Sequence, residues 1–459
     1  MKIKEFVNEV KKGDVSVEEN TEKILKEAEK VNSEYKYFNI ISKELALKQA
    51  RELDKKIKLS KAKGRLLGVP ISVKDCICVK EVESREGSKI LDGYLPVFNA
   101  TAVQKAIDEG AIIIGKTAQD EFGFGSFSAN VGLGFNRPLN PFDKTRACGG
   151  SSGGAAGWTQ KAKNIQISLG QSTGGSIACP ASFCGVAGLT PTYGLVSRYG
   201  LIDYANSLDK IGSIAKTVED AELMLDIISG HDSKDSTSLK EQMQKPSVKK
   251  IAIIKDGFND IDENVKKTVL KKLDCVEYDE ISLPLTNKYC IATYYLLATS
   301  EASTNLAKYC GMRYGAYDKL EGSFNEYFSR VRSENFGKEA KKRIILGTFA
   351  RMSGFRDAYY LKAASVRTKI IEEYKKIFKK YDVIISPTMP ILPPKFEEIE
   401  KLTPLQNYMM DILTAGPNLA GLPHLSINAG FAKELPVGMM LIADHLKEKN
   451  LIELGKRLE

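Results

Sequence analysis

Between Lys163 and Arg198 the chain carries no charged side chain, although Asp, Glu, Lys and Arg make up 27% of its 459 residues. A stretch this long without charge belongs either in lipid or inside a folded core. Lipid is excluded by composition. A membrane helix needs about 18 or more predominantly apolar residues, and here Gln166, Gln171, Ser172, Thr173, Gly174, Gly175 and Ser176 interrupt, with the helix-breaker Pro180 close behind. Paired glycines and a proline are poor material for a lipid-facing helix. The stretch is therefore expected to be a loop and helix packed in a large core. Its Gly and Ser content suggests a sharper use, since glycine lets main-chain N–H groups approach a ligand closely. A serine buried among such groups is a candidate nucleophile.

The remaining sequence reads as α/β. The first 60 residues have helical periodicity, with Ser16 placed to cap "VEENTEKILKEAEKVN". "RLLGVPISVKD" (65–75) is a buried strand running into a lysine, and "TAVQKAIDEGAIIIGKT" (101–117) is helix, glycine turn and strand. A Gly-rich loop is expected from there to Trp158. Further strands are expected at "IAIIKDGF" (251–258), "YDVIISPTMP" (381–390) and "ELPVGMMLIADH" (434–445), with long helices through 290–380 and a terminal helix. This predicts a large mixed sheet covered by helices on both faces. The organisation expected is an N-terminal helical region, 1–64, packing on a catalytic domain, 65–459.

Composition narrows the function. The net charge of +9 comes from scattered lysines, as in "DKKIKLSKAKGR" (54–65), which read as solvated helix faces. Arginine clusters interleaved with aromatics, the footprint of a nucleic-acid face, do not occur. The eight cysteines are irregularly spaced, and the charged N-terminal stretch has no apolar core of a secretory signal. Both favour a reducing, cytoplasmic setting with buried thiols. No C-x-x-C pair or neighbouring histidine completes a metal site, so none is expected.

Three segments invite a chemical reading: "VKD" with Lys74, "GGSSGG" with Ser151 and Ser152, and "TGGS" with Ser176. A serine nucleophile needs a base to take its proton. The only histidines, His231, His424 and His445, lie outside the Gly/Ser-rich segments. A desolvated lysine amine does the same work, and the apolar run before Lys74 supplies the desolvation.

These segments, in order with "STGGSIACPASFCGVAGLTPTYGLVSRYGL" and "SLDKIG", closely resemble the amidase signature family from about residue 65 to 445. The resemblance implies the amidase signature fold and a Ser-cis-Ser-Lys triad. Ser176 would be the acyl-forming nucleophile, Ser151 the bridging serine and Lys74 the base. The N–H groups of Thr173, Gly174, Gly175 and Ser176 would form the oxyanion hole. Two positions depart from the family pattern: Ser172 stands where an Asp is usual, so the loop needs another brace, and Ala129 stands where many relatives have Glu.

Within that family, "KKRIILGTFARMSGFRDAYYLKAASVRTKI" (341–370), "YMMDILTAGPNLAGLPHLSINAG" (408–430), "TYYLLATSEASTNLAKYCGMRYG" (293–315) and "AQDEFGFGS" (118–126) resemble the glutaminase-subunit branch of aspartyl/glutamyl-tRNA amidotransferases. That branch implies glutamine hydrolysis. Arg343 would meet the α-carboxylate and Asp411 the α-ammonium, Tyr294 or Tyr295 would line the pocket, and Ser126 would contact the side-chain amide. It also implies B and C partner subunits, with mischarged tRNA, ATP and Mg held by the partner and no cofactor in this chain. Two alternatives remain open: a free-standing amidase acting on a small carboxamide, and a non-catalytic scaffold.

Overall fold

The protein is described by a computed structural model covering residues 2–459. Its centre is a single mixed sheet of strands β1 (Phe38–Ile41), β2 (Pro70–Lys74), β3 (Ile112–Thr117), β4 (Ile167–Ser172), β5 (Ala187–Thr190), β6 (Lys210–Ala215), β7 (Ile251–Ile254), β8 (Asp279–Ile281), β9 (Val383–Pro387), β10 (His424–Ala432) and β11 (Leu435–Ala443). Across the sheet their order is β1-β3-β2-β4-β6-β5-β10-β11-β9-β7-β8. β2 runs parallel to both β3 and β4, and β7 runs parallel to β8 and β9. The antiparallel strands β6, β5, β10 and β11 join these two parallel blocks.

Helices cover both faces, and the strands show it by alternation. Val383, Ile385, Met439 and Leu441 fall in one hydrophobic core, whereas Ile384, Met440 and Ile442 fall in the other. Strands buried on both sides cannot tolerate solvated charge, which accounts for runs such as "PISVK" and "ISLGQS" being buried at every position. The helices Gly153–Lys161 and Ala178–Cys184 contribute to the first core, the former packed on β2, β4 and β6 and the latter on β5, β10 and β11.

The helix, turn and strand expected across 101–117 and the strands expected within 65–75, 251–258, 381–390 and 434–445 are all present. The expected N-terminal cap is also there, with Glu19 N–H donating to Ser16 Oγ at 3.3 Å. Several expectations need correction. The first 60 residues are not helical throughout, because Phe38–Ile41 forms β1, paired antiparallel with β3. Four residues are too few to carry a period, and only the edge of the sheet decides their state. The charge-free stretch is not loop and helix alone, since it contributes β4 and β5 on either side of the helix Ala178–Cys184. Pro180 does not break that helix. It sits in the first turn, where the missing N–H would have no intrahelical partner anyway. The glycine-rich segment before Trp158 turns helical at Gly153.

Candidate active site

β2 and β4 are parallel neighbours, so their carboxyl ends emerge side by side, the position where open α/β sheets bind ligands. β2 ends on Lys74, and β4 ends on Gln171 and Ser172 just before the bend Thr173–Ser176. Ser151 arrives from the loop preceding the helix Gly153–Lys161, through a cis peptide bond after Gly150. Lys74 Nζ lies 2.7 Å from Ser151 Oγ, 3.0 Å from the Gln171 carbonyl oxygen and 3.0 Å from Gln171 Oε1. The lysine is fully buried. Burial pushes its amine below the usual lysine range, although Cys76, Glu86, Asp120 and Asp209 pull the other way. Of these acids Glu86 is itself buried, with its carboxyl held well above the usual range by desolvation.

Ser176 faces a small pocket together with Gly123, Gly125, Gly174, Gly175, Tyr294, Tyr295, Arg343 and Asp411. Gly123 joins this pocket to the lysine, because a methyl group placed on it would stand 3.5 Å from Ser151 Oγ and 3.8 Å from Gln171 Oε1. Among the described residues, the N–H groups of Gly174, Gly175 and Ser176 donate to no protein acceptor. That leaves them available to an oxyanion. Neither glycine has room for a side chain: a Cβ on Gly174 would collide with the Tyr294 ring, and one on Gly175 with Thr414. Gly174→Ala is therefore expected to destabilise the fold by about 1–3 kcal/mol through overpacking, which thermal denaturation would measure.

The expected substrate residues converge. Arg343 is only 3% exposed and Asp411 7%, so Arg343 is no surface residue of a basic helix. Its Nε donates to Glu339 Oε1 at 2.9 Å and its Nη1 to the Tyr204 hydroxyl at 2.8 Å. The guanidinium also lies over the rings of Phe124, Tyr295 and Tyr408, a favourable placement for a desolvated cation. Asp411 accepts from Ser126 Oγ and from the Tyr295 hydroxyl, both at 2.7 Å, while burial pushes its carboxyl up. Both tyrosines line the pocket, Tyr294 against Gly174 and Tyr295 on Asp411. The Ser126 hydroxyl is committed to Asp411, so it braces that carboxylate. The side chain of Thr173 points elsewhere, with its hydroxyl donating to Asp209 Oδ1 at 2.7 Å.

Three side chains escaped the sequence reading. Asp120 holds the 120–130 loop by accepting from Ser128 N at 2.9 Å and Asn130 N at 2.8 Å, and burial pushes its carboxyl up to about 6. Asp209, in the quoted "SLDKIG", and Gln171 form the brace that Ser172 does not provide. Among the described residues Ser172 Oγ has no hydrogen-bond partner and is buried, whereas Gln171 Nε2 donates to Thr173 Oγ1 at 2.7 Å and Asp209 Oδ1 at 3.0 Å. A buried Asp in a charged tripeptide such as "LDK" gives no local signal of its burial.

Residues 19–452 match the family described as Amidase. The chain belongs to the amidase family. It is thus an amidohydrolase. It is 45% identical over 422 residues to the A subunit of glutamyl-tRNA(Gln) amidotransferase from Archaeoglobus fulgidus, covering 91% of this chain and 90% of that one. The protein of the same name from Natranaerobius thermophilus is 42% identical, with 98% and 93% covered. Among solved structures, the corresponding glutamyl-tRNA(Gln) amidotransferase protein from Thermotoga maritima is 34% identical with a TM-score of 0.75, covering 95% of this chain and 90% of that one. A bacterial aryl acylamidase of the amidase signature family superposes with a TM-score of 0.85 at 21% identity, covering 100% and 96%. Shape is therefore common to the family, and likeness of shape does not order its members by activity.

Proposed function

We propose that this chain is the glutaminase subunit of a tRNA-dependent amidotransferase, hydrolysing glutamine through Ser176, Ser151 and Lys74. Ser176 Oγ attacks the carboxamide carbon while its proton passes to Ser151, whose own proton passes to Lys74. The N–H groups of the Thr173–Ser176 bend receive the oxyanion. The Lys74 ammonium then returns a proton through Ser151 to the leaving nitrogen, ammonia departs, and water releases glutamate by the reverse relay. The ammonia is passed to a partner protein that amidates mischarged tRNA. ATP and Mg act in that partner, and the B and C subunits complete the assembly.

The observation that carries this reading is a buried guanidinium and a buried carboxylate on the same small pocket as Ser176. Each charge has protein partners, Glu339 and Tyr204 for Arg343 and Ser126 and Tyr295 for Asp411. An enzyme for an uncharged amide nevertheless has no use for a buried cation and a buried carboxylate on the wall of its pocket. A free amino acid presents the complementary pair, with its carboxylate for Arg343 and its ammonium for Asp411. The inner pocket has a volume of only about 10 Å³, room for roughly one water. It adjoins an outer cleft of about 590 Å³ through Gly125, Tyr295 and Arg343. Glutamine entry consequently requires side chains at that junction to move.

Arg343→Ala tests the assignment. Losing a buried charge-assisted hydrogen bond costs about 1.5–3 kcal/mol, so kcat/KM for glutamine should fall roughly 10- to 150-fold. An amide lacking the α-carboxylate should lose far less. Equal losses for both substrates would make Arg343 structural and favour the free-standing amidase.

A further inference from the structure

The three polar neighbours of Lys74 Nζ are not equivalent. The Gln171 carbonyl oxygen and Gln171 Oε1 can only accept, whereas Ser151 Oγ can accept or donate. Which end of the Gln171 amide faces Lys74 is fixed from behind. Its Nε2 is spent on Thr173 Oγ1 and Asp209 Oδ1, and the Thr173 hydroxyl also donates to Asp209 Oδ1. Asp209 Oδ2 accepts from Tyr204 N and Ala205 N, both at 2.9 Å. Burial pushes the Asp209 carboxyl up to about 7, but four donors converge on its two oxygens. That is the pattern of an ionised carboxylate, which faces the amide NH2 and leaves the amide oxygen for Lys74.

From this geometry we propose that Gln171, held by Asp209 and Thr173, is a positioning residue that sets the direction of proton transfer to Lys74. A neutral lysine amine has two N–H groups and one lone pair. The two N–H groups are taken by the two Gln171 oxygens, so the lone pair is aimed at Ser151. Ser151 then donates its proton to Lys74 and accepts that of Ser176, with no rotation of the amine at the moment of attack. Without Oε1 the amine is free to turn, and the lone pair is aimed only part of the time. The inference rests on the Ser176–Ser151–Lys74 reading.

The test uses the full chain and an alkyl fluorophosphonate, which needs no assumption about the natural substrate. Ser176 Oγ forms a bond to phosphorus, the P–F bond breaks, fluoride leaves, and the serine proton travels through Ser151 to Lys74. Gln171→Met keeps the length of the side chain but removes the acceptor. It should lower the second-order labelling rate, and kcat for glutamine, about 10- to 100-fold with KM little changed. Gln171→Glu alone sets two carboxylates against each other, and Asp209→Asn alone sets two NH2 groups against each other, so both should be impaired. The double variant Gln171→Glu with Asp209→Asn restores a donor facing an acceptor. It should regain most of the activity, with its pH profile displaced upward because a carboxylate beside Lys74 favours the ammonium form. Labelling of Gln171→Met at the wild-type rate would overturn the proposal. So would a double variant no better than the weaker single one, or one whose profile is not displaced. If Gln171→Met does not fold, the exchange pair decides alone. Lys74→Met separates the two readings: labelled as wild type, it defeats the triad itself, whereas inert beside an unimpaired Gln171→Met it defeats only the role of Gln171.

Discussion

With Ser176 replaced by alanine, a complex rebuilt from this chain and the proposed partner subunits should no longer amidate mischarged tRNA from glutamine, and should do so again when concentrated ammonium salt is supplied. The substitution removes one hydroxyl from a bend whose N–H groups and packing are main-chain features, so the fold and the assembly should persist. Loss of a nucleophile removes the covalent route, and losses of about 10⁶-fold are typical when one member of a hydrolytic triad is deleted. On the proposed two-site reading, ammonium restores the product because the second reaction would need ammonia and not the serine that made it. A free-standing amidase predicts no amidation from either donor, whichever partners are added. A scaffold predicts that glutamine fails even with Ser176 present. Failure of both donors in the alanine complex, beside an active unmodified control, would sink the two-site reading.

Lys74→Met should cost at least the roughly 10²- to 10⁴-fold associated with general acid–base catalysis, since it removes the amine at nearly constant volume. The pH dependence carries the sharper signature. Burial lowers the Lys74 pKa, and only the neutral amine accepts a proton. In the unmodified enzyme the rate should therefore rise with pH through a limb lying below the ordinary lysine range. In the methionine variant that limb should vanish, leaving a residual rate that climbs only as hydroxide replaces the base. A variant within about tenfold of the parent enzyme, or one keeping the limb, would exclude Lys74 as the base.

How much of this site could be read beforehand depended on how local each signal was. Lys74, Ser151 and Ser176 sit in short, unusual strings, "VKD", "GGSSGG" and "TGGS", and family likeness to those strings pointed at all three. Arg343 and Asp411 were reachable by likeness alone, because "KEAKKR" also describes a solvated helix face. Asp209 and Asp120 lie in quoted strings, "SLDKIG" and "AQDEFGFGS", and Gln171 in the charge-free stretch, but nothing local marked these side chains as parts of the site. Each became visible only through its hydrogen bonds, Asp209 to Gln171 and Thr173 from another part of the chain, and Asp120 across its own loop to Ser128 and Asn130.

The same division holds for the fold. The sequence by itself determined that a charge-free, glycine-rich segment had to be buried. It also placed strands ahead of Lys74, at the end of 101–117, and within 251–258, 381–390 and 434–445, because burial on both faces of a sheet removes charge from a continuous run. Tertiary structure alone decided that Phe38–Ile41 is a strand, since pairing with β3 supplies the hydrogen bonds that four residues cannot supply themselves. It alone decided that Pro180 lies inside a helix, where the first turn makes its missing N–H harmless. It also decided that Ser172, standing where a carboxylate is usual, leaves the bracing to its neighbour: Ser172 Oγ has no partner among the described residues, while the longer Gln171 side chain reaches both Lys74 and Asp209. Local composition sets which segments avoid water, but which polar groups satisfy one another inside depends on which elements the sheet brings side by side.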